Sequence, residues 1–473
     1  MSTLREAFSG RLLSAAEDKA AFLTDWRRKW TGAAWAVAQP DSAQDVAAVV
    51  RWCHAHRVPV VPQGGNTGLS GGATPDDSGR ALLLSLARLN RVRAIDPVNN
   101  TIEVEAGVTL QQVQAAARAA HRLFPLSLAA EGSCTIGGNL ATNAGGVQVL
   151  RYGNARELCL GLEVVTAEGE VWNGLRGLRK DNTGYDLRDL FIGSEGTLGV
   201  ITAAVLKLHP LPAARVAAFV AVPDPAAATA LLQLAQQQLG AGLTAFELMS
   251  DACIRLVQRH IASASFPLAE RSPWYVLMEV SDARSEALAS ESIEGLLARA
   301  IDAAWATDAA LSSSLAQFHA LWALREHISE SQGAEGKTIK HDISLPISRI
   351  ADFIRATDAG LESRWPGVRG VVFGHLGDGN LHYNLSPAAD AKGAAHEAAF
   401  LALEAPINRF VHDAVAAHGG SISAEHGLGV LRRDEADRYR SGVALRLMRS
   451  IKQALDPHHL MNPGKLLPEE SMK

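Results

Sequence analysis

Three glycine-rich segments crowd the first half of this chain: Gln63-Gly64-Gly65-Asn66-Thr67-Gly68-Leu69-Ser70-Gly71-Gly72, then Glu131-Gly132-Ser133-Cys134-Thr135-Ile136-Gly137-Gly138-Asn139 running on to Asn143-Ala144-Gly145-Gly146, then Gly193-Ser194-Glu195-Gly196-Thr197-Leu198-Gly199. Consecutive glycines let a chain turn so that several backbone N–H groups converge, and such a nest binds phosphate. One block is as well explained by a tight turn. Three blocks, all rich in Asn, Ser and Thr, point to a large phosphorylated ligand lying against extended backbone. None has the G-x-G-x-x-G spacing between strand and helix of a dinucleotide-binding Rossmann unit, and no Walker A sequence is present. A nicotinamide Rossmann enzyme and a P-loop NTPase are therefore both disfavoured.

A second pattern lies in the last third, Gly374-His375-Leu376-Gly377-Asp378-Gly379-Asn380-Leu381-His382-Tyr383-Asn384, followed by Ser423-Ala424-Glu425-His426-Gly427. Asp-Gly between alternating residues is a strong hairpin signal. With Asp378-Gly379 as the two-residue turn, His375 and His382 stand directly opposite, their Cβ atoms roughly 4.5–5.5 Å apart, and Asn384 shares their face. Singly, each histidine is as well read as a polar cap on a sheet edge. Together with Glu425 as a third donor they form a two-His, one-carboxylate set, which leaves coordination positions open as a catalytic metal requires. Taken alone, this cluster also suits a zinc hydrolase with His426 activating water, the glycine blocks being mere turns.

Composition narrows the partners. The 473 residues suffice for two or three domains, and the net charge of −5, with no run of like charges, gives nucleic-acid binding no electrostatic support. No apolar run reaches the roughly 18 residues of a membrane span, and the first residues hold Glu6, Glu17 and Asp18 where a signal core would be apolar, so a cytoplasmic protein is expected. Cys53, Cys134, Cys159 and Cys253 are too dispersed for a disulfide framework, a CxxC pair or an iron–sulfur cluster.

Periodicity predicts a helical lead-in over 1–35, a helix over 41–56, strands at 58–62, 81–85, 101–105 and 160–166, and a helix over 109–121. Lys207-Leu208-His209-Pro210-Leu211-Pro212 reads as a domain boundary, dividing the chain into 1–212 and 213–473. Beyond it, strands at 216–222, 274–280 and 338–344 alternate with helices at 226–239, 285–303, 312–332, 347–363 and 397–418. This is an α+β pattern with antiparallel sheet expected.

The glycine segments, with Asn143-Ala144-Gly145-Gly146, Arg151-Tyr152-Gly153 and Pro62 at the head of the first, resemble the FAD-binding (PCMH-type) domain of vanillyl-alcohol-oxidase-type flavoproteins. The last third resembles the FAD-linked oxidase C-terminal domain of D-2-hydroxy-acid dehydrogenases. Lys180-Asp181-Asn182-Thr183-Gly184-Tyr185-Asp186-Leu187 and Ser423-Ala424-Glu425-His426-Gly427 draw the likeness toward those acting on D-2-hydroxyglutarate, ahead of D-lactate and glycolate enzymes of the same fold. The resemblance implies FAD contacts from Pro62, Gly64, Gly65, Asn66, Thr67 and Gly68, from Gly132, Ser133, Gly137, Gly138, Asn143, Gly145 and Gly146, from Glu195, Gly199 and Ile201, and from Asn462. Some members hold FAD covalently through a His in the first block; Asn66-Thr67 stand here, which implies non-covalent FAD.

The resemblance further implies that His375, His382 and Glu425 hold a divalent metal, Zn²⁺ ahead of Mn²⁺ or Co²⁺. Arg325, Ser329, Lys340, Asn384 and His426 match its substrate-binding positions, with Ser329 where the family usually has Thr. Arg325 and Ser329 are expected on one helix face at i, i+4 spacing, and two cations with two short polar groups suit a substrate with two carboxylates. The implied mechanism is metal-assisted deprotonation of the substrate hydroxyl with His426 as base, then hydride transfer to flavin N5. With no internal relay, an external electron acceptor is implied, an electron-transferring flavoprotein being the family expectation and oxygen its rival. A mitochondrial location is implied for a eukaryotic chain, and a homodimer is left open. A flavin-carrying subunit without substrate chemistry is the remaining alternative, and it leaves the metal donors unused.

Overall fold

In the computed structural model, which describes residues 2–388 and 393–468, the chain forms two compact units. The first takes the residues up to Gly146, Tyr152–Leu211 and the segment from Glu425 onward; the second takes Val147–Arg151 and Pro212–Ala424. The sequence boundary gives all of 213–473 to the second domain, but the final segment returns to the first. Backbone pairing is the cause. Val60 N donates to Leu460 O at 2.8 Å and Asn462 N to Val60 O at 2.7 Å, adding a parallel bridge between Val60 and Met461, which is fully buried.

Among the described residues the first unit holds two larger sheets and a two-stranded pair, Arg122–Leu123 with His209–Pro210. Strands Arg11–Leu13, Ala36–Gln39, Leu82–Ser85 and Val60–Gln63 follow one another in a mixed sheet whose last two pairings are parallel. Leu82, Leu83 and Leu84 are all fully buried, as expected for a strand covered on both faces. The lead-in is helical in the short pieces Ser2–Ala7 and Ala16–Lys19 and in a 3-10 turn at Ala20–Phe22; Arg11–Leu13 is the edge strand that pairs with Ala36–Gln39. Helix Ala43–His56 starts where the Ser42 hydroxyl accepts from Asp45 N and stops at Arg57 in the left-handed region (φ 56°). Its Val46, Val49, Val50 and Cys53 pack on the sheet. The second sheet is antiparallel, in the order Val92–Asp96, Thr101–Glu105, Gly199–Lys207, Cys159–Thr166, Val171–Gly174.

The second unit is built on one seven-stranded antiparallel sheet: Asp308–Leu311, Ala214–Val222, Trp274–Asp282, Leu243–Ser250, Arg369–His375, Asn380–Ser386, Asp342–Ser344. One face buries Phe219, Tyr275, Leu277, Met249 and Phe373 against helices Asp251–His260 and Leu315–Glu326. Strand Leu243–Ser250 and helix Asp251–His260 have no counterpart in the sequence reading. The single helix expected over 312–332 is two, Leu315–Glu326 and Ile328–Glu335, because His327 sits at φ −80°, ψ 1° and interrupts the run.

Candidate active site

Within the first unit the glycine segments come together around one cavity, lined by Pro62, Gly64, Gly65, Asn66, Thr67, Gly68, Gly137, Gly138, Glu195, Gly199 and Ile201, and also by His426. The segments touch backbone to backbone, so glycine is required at the contacts. A Cβ on Gly65 would lie 1.9 Å from Ser133 O, and one on Gly137 2.7 Å from Ala106 Cβ. The Thr135 hydroxyl, which also lines the cavity, is buried without a hydrogen-bond partner among the described residues. A buried orphan of this kind costs about 1–3 kcal/mol unless a ligand satisfies it. A phosphate-bearing cofactor supplies such acceptors, so the walls fit FAD. Gly132, Ser133, Asn143, Gly145, Gly146 and Asn462 do not line the cavity. Gly132 and Ser133 are exposed; Asn143 Oδ1 accepts from Arg156 N at 3.0 Å. Asn462 ties two walls together, its Nδ2 donating to Gly72 O at 2.9 Å and to Glu195 O at 2.7 Å.

Glu195 stands at φ 53°, and its side chain reaches the segment that follows His426. Its two carboxylate oxygens accept from Leu428 N and Gly429 N, each at 2.8 Å. Burial raises its carboxyl above the usual range, against the pull of those two donors. A Cβ on Gly429 (φ 49°) would meet Ser70 O at 2.1 Å. The turn after His426 is thus held on both sides, by a buried carboxylate and by the first glycine block. Replacing Gly65 by Ala should lower the FAD content of the purified protein and its Tm, overpacking by one methyl costing about 1–3 kcal/mol. Absorbance at the flavin band and a melting curve check this, with Gly295→Ala, which meets no atom within 4 Å in helix Glu286–Asp302, expected to keep both.

The second unit gathers polar groups at one end of its apolar sheet face. The hairpin pairs Phe373 with His382, so its turn takes in Leu376 to Gly379 and not Asp378-Gly379 alone. Asp378 N and Gly379 N both donate to His375 O, closing that wider turn. His375 and His382 are therefore diagonal neighbours. The register is displaced by two residues, an even number, and both side chains stay on one face, with ring centroids 5.9 Å apart at 77°. Asp342 lies opposite His382 on the next strand, and Asn384 is two residues further along the same face.

Glu247, on the strand that the sequence reading lacks, lies directly opposite His375. His375 Nδ1 donates to its Oε1 at 2.6 Å, and Arg325 Nε donates to its Oε2 at 2.8 Å. All three residues are buried. Burial alone would raise the Glu247 carboxyl, but His375 and Arg325 override it and hold it at about 2. An acid inside the apolar run Leu243-Thr244-Ala245-Phe246-Glu247-Leu248-Met249 was the available signal, since such a charge is almost never fully buried without a partner.

The other expected substrate residues separate. Arg325 packs over the Phe373 ring at 4.7 Å, but Ser329 lies beyond the break at His327 and is exposed, so the two do not share a helix face. Asn384 Nδ2 donates to Gln332 Oε1 at 2.9 Å. Lys340 precedes the strand Asp342–Ser344, which is shorter than the 338–344 expected; the Ile339–Leu385 bridge continues its register and sets Lys340 across from Asn384.

An FAD-binding-domain family model matches residues 34–174, and the FAD-linked-oxidase C-terminal-domain model matches 211–466. A D-2-hydroxyglutarate dehydrogenase of Xanthomonas citri is 42% identical over 459 residues, 96% of this chain and 94% of that protein. The mitochondrial D-2-hydroxyglutarate dehydrogenase of Bos taurus is 40% identical over 471 residues, 99% of this chain and 83% of that protein. The chain belongs to the D-2-hydroxyglutarate dehydrogenase family of FAD-linked oxidases. As a member, it is an FAD-dependent dehydrogenase. Solved structures share the fold: p-cresol methylhydroxylase (TM-score 0.72, 15% identity, covering 97% of this chain and 94% of that one) and alkyldihydroxyacetonephosphate synthase (0.71, 17%, 98% and 84%). At that identity the likeness speaks for the fold alone. Among the described residues no helix is long and apolar enough to cross a membrane.

Proposed function

We propose that this family member oxidises D-2-hydroxyglutarate to 2-oxoglutarate, with FAD held non-covalently and a divalent cation on His375, His382 and Glu425. One observation carries the reading: His426, the base, lines the same cavity as the three glycine segments. When bound, FAD supplies the hydride acceptor, and a cation on an open site supplies a Lewis acid that lowers the pKa of a coordinated hydroxyl. The chain's own part is binding and proton movement. His426 takes the proton from the α-hydroxyl oxygen as the C–H bond breaks. Arg325 is left to bind a carboxylate through its terminal nitrogens, because Glu247 takes only Nε. Lys340 and Asn384 are proposed for the second carboxylate, and Ser329 as a further polar contact.

The donor chemistry supports a cation. His375 gives Nδ1 to a buried carboxylate, the arrangement that leaves Nε2 as the ligating nitrogen. Ala424 N donates to Asp342 O at 3.3 Å, opposite His382, so Glu425 is the next residue after one anchored beside the histidine pair. Two His and one carboxylate accommodate Zn²⁺, Mn²⁺ or Co²⁺. All four cysteines are buried and unlinked, so reduced flavin is proposed to deliver its electrons to an external acceptor such as an electron-transferring flavoprotein.

The test is the visible spectrum of the FAD-loaded protein under anaerobic addition of D-2-hydroxyglutarate, D-lactate or D-malate. Bleaching by D-2-hydroxyglutarate at the lowest concentration is expected. Preferential bleaching by D-lactate would replace the substrate assignment, and bleaching by none would return the chain to the role of electron carrier.

A further inference from the structure

We infer that Glu247 is a positioning residue that fixes the metal-side histidine and the substrate-side arginine with one carboxylate. The inference rests on the roles proposed above for His375 and Arg325, and extends them to a residue that has none there. Its two oxygens are divided between the two partners, Oε1 accepting from His375 Nδ1 at 2.6 Å and Oε2 from Arg325 Nε at 2.8 Å. The carboxylate is fully buried, and it sits on the central part of the sheet, on a strand bonded to Trp274–Asp282 on one side and Arg369–His375 on the other.

The arrangement is selective because both partners donate. A carboxylate can accept from both at once, which no neutral side chain of the same shape can do. His375 is held as the Nδ1–H tautomer, so its Nε2 lone pair is kept for a cation. Arg325 is held by Nε and stacked on Phe373, so the fork of its two terminal nitrogens is kept in one plane for a carboxylate. A glutamine at 247 would place an amide NH₂ against one of the two donors. The histidine could answer only by exchanging tautomers, accepting at Nδ1 and protonating Nε2, which removes the ligand. The same carboxylate therefore sets the affinity of the cation through Oε1 and the aim of the substrate clamp through Oε2.

The experiment compares Glu247→Gln and Glu247→Asp in the FAD-loaded protein, reading Mn²⁺ affinity by equilibrium dialysis, KM for D-2-hydroxyglutarate, and flavin content and Tm as checks on folding. Loss of an outer-shell partner to a ligating histidine lowers metal affinity about 10–100-fold, and this is expected for Gln together with a raised KM. Asp, shorter but still charged, is expected to lose less on both readouts. A space-filling role predicts the reverse order, since Gln is isosteric with Glu, and that order overturns the inference; so does a Gln variant with unaltered Mn²⁺ affinity and KM. If the unmodified protein takes up no Mn²⁺, Zn²⁺ or Co²⁺, the metal assignment falls separately. KM then decides: a larger rise for Gln than for Asp sustains the arginine half, and the opposite removes it.

Discussion

Alanine at position 426 is expected to slow anaerobic flavin reduction by about 10²–10⁴-fold, the usual contribution of a positioned general base. At 1.36 kcal/mol per decade this is about 2.7–5.4 kcal/mol of transition-state stabilisation. The flavin should stay bound. His426 contributes one side chain to a wall that many other residues build, the three glycine segments among them, and the turn after it is fixed through Leu428 N and Gly429 N, which do not need the imidazole. A stopped-flow trace of flavin bleaching under saturating substrate separates the two effects. Slow bleaching at full flavin content supports the base; a rate within a few-fold of the parent assigns the proton to another group.

Removal of divalent cations by prolonged chelation should abolish bleaching by D-2-hydroxyglutarate, and Zn²⁺ or Mn²⁺ should restore it. The expected effect is large because an unassisted α-hydroxyl is a very weak acid, and a cation on an open site would lower its pKa. Substrate binding should weaken at the same time. Full bleaching by a metal-free sample, verified by elemental analysis, refutes the metal assignment of His375, His382 and Glu425 without touching the flavin assignment.

The parts of this molecule that sequence makes legible are those where residue type and backbone demand coincide. The glycine blocks are one case: Gly65 and Gly137 cannot carry a Cβ where they sit, so their identity encodes a close approach that the fold then makes. Helix Ala43–His56 is another, its start written in Ser42 and its core face in Val46, Val49 and Val50. The histidine pair was legible in face but not in register. Asp-Gly permits a two-residue turn, yet hydrogen bonds from Asp378 N and Gly379 N to His375 O select a wider one. Helix periodicity ran through His327 because it carries no breaker residue, and so Arg325 and Ser329 were set on a common face that the backbone does not provide. Glu247 was missed for a different reason. Its two partners stand 78 and 128 positions away along the chain, and only the sheet brings them together.

The return of the segment after Glu425 to the first unit has a consequence for how the chain can be divided and built. A fragment ending at residue 212 lacks Met461 and Asn462, so strand Val60–Gln63 keeps Leu82–Ser85 on one edge but loses its bridge on the other, and the Gly72 and Glu195 walls lose the amide that joins them. In the order of synthesis, the flavin-binding unit begins first but gains these closing contacts only after the sheet of the second unit has been translated. The second unit is in effect an insertion in the first. Its fragment, Pro212–Ala424, has the seven strands it needs in one continuous stretch, whereas the unit that holds the cofactor cannot be expressed as one.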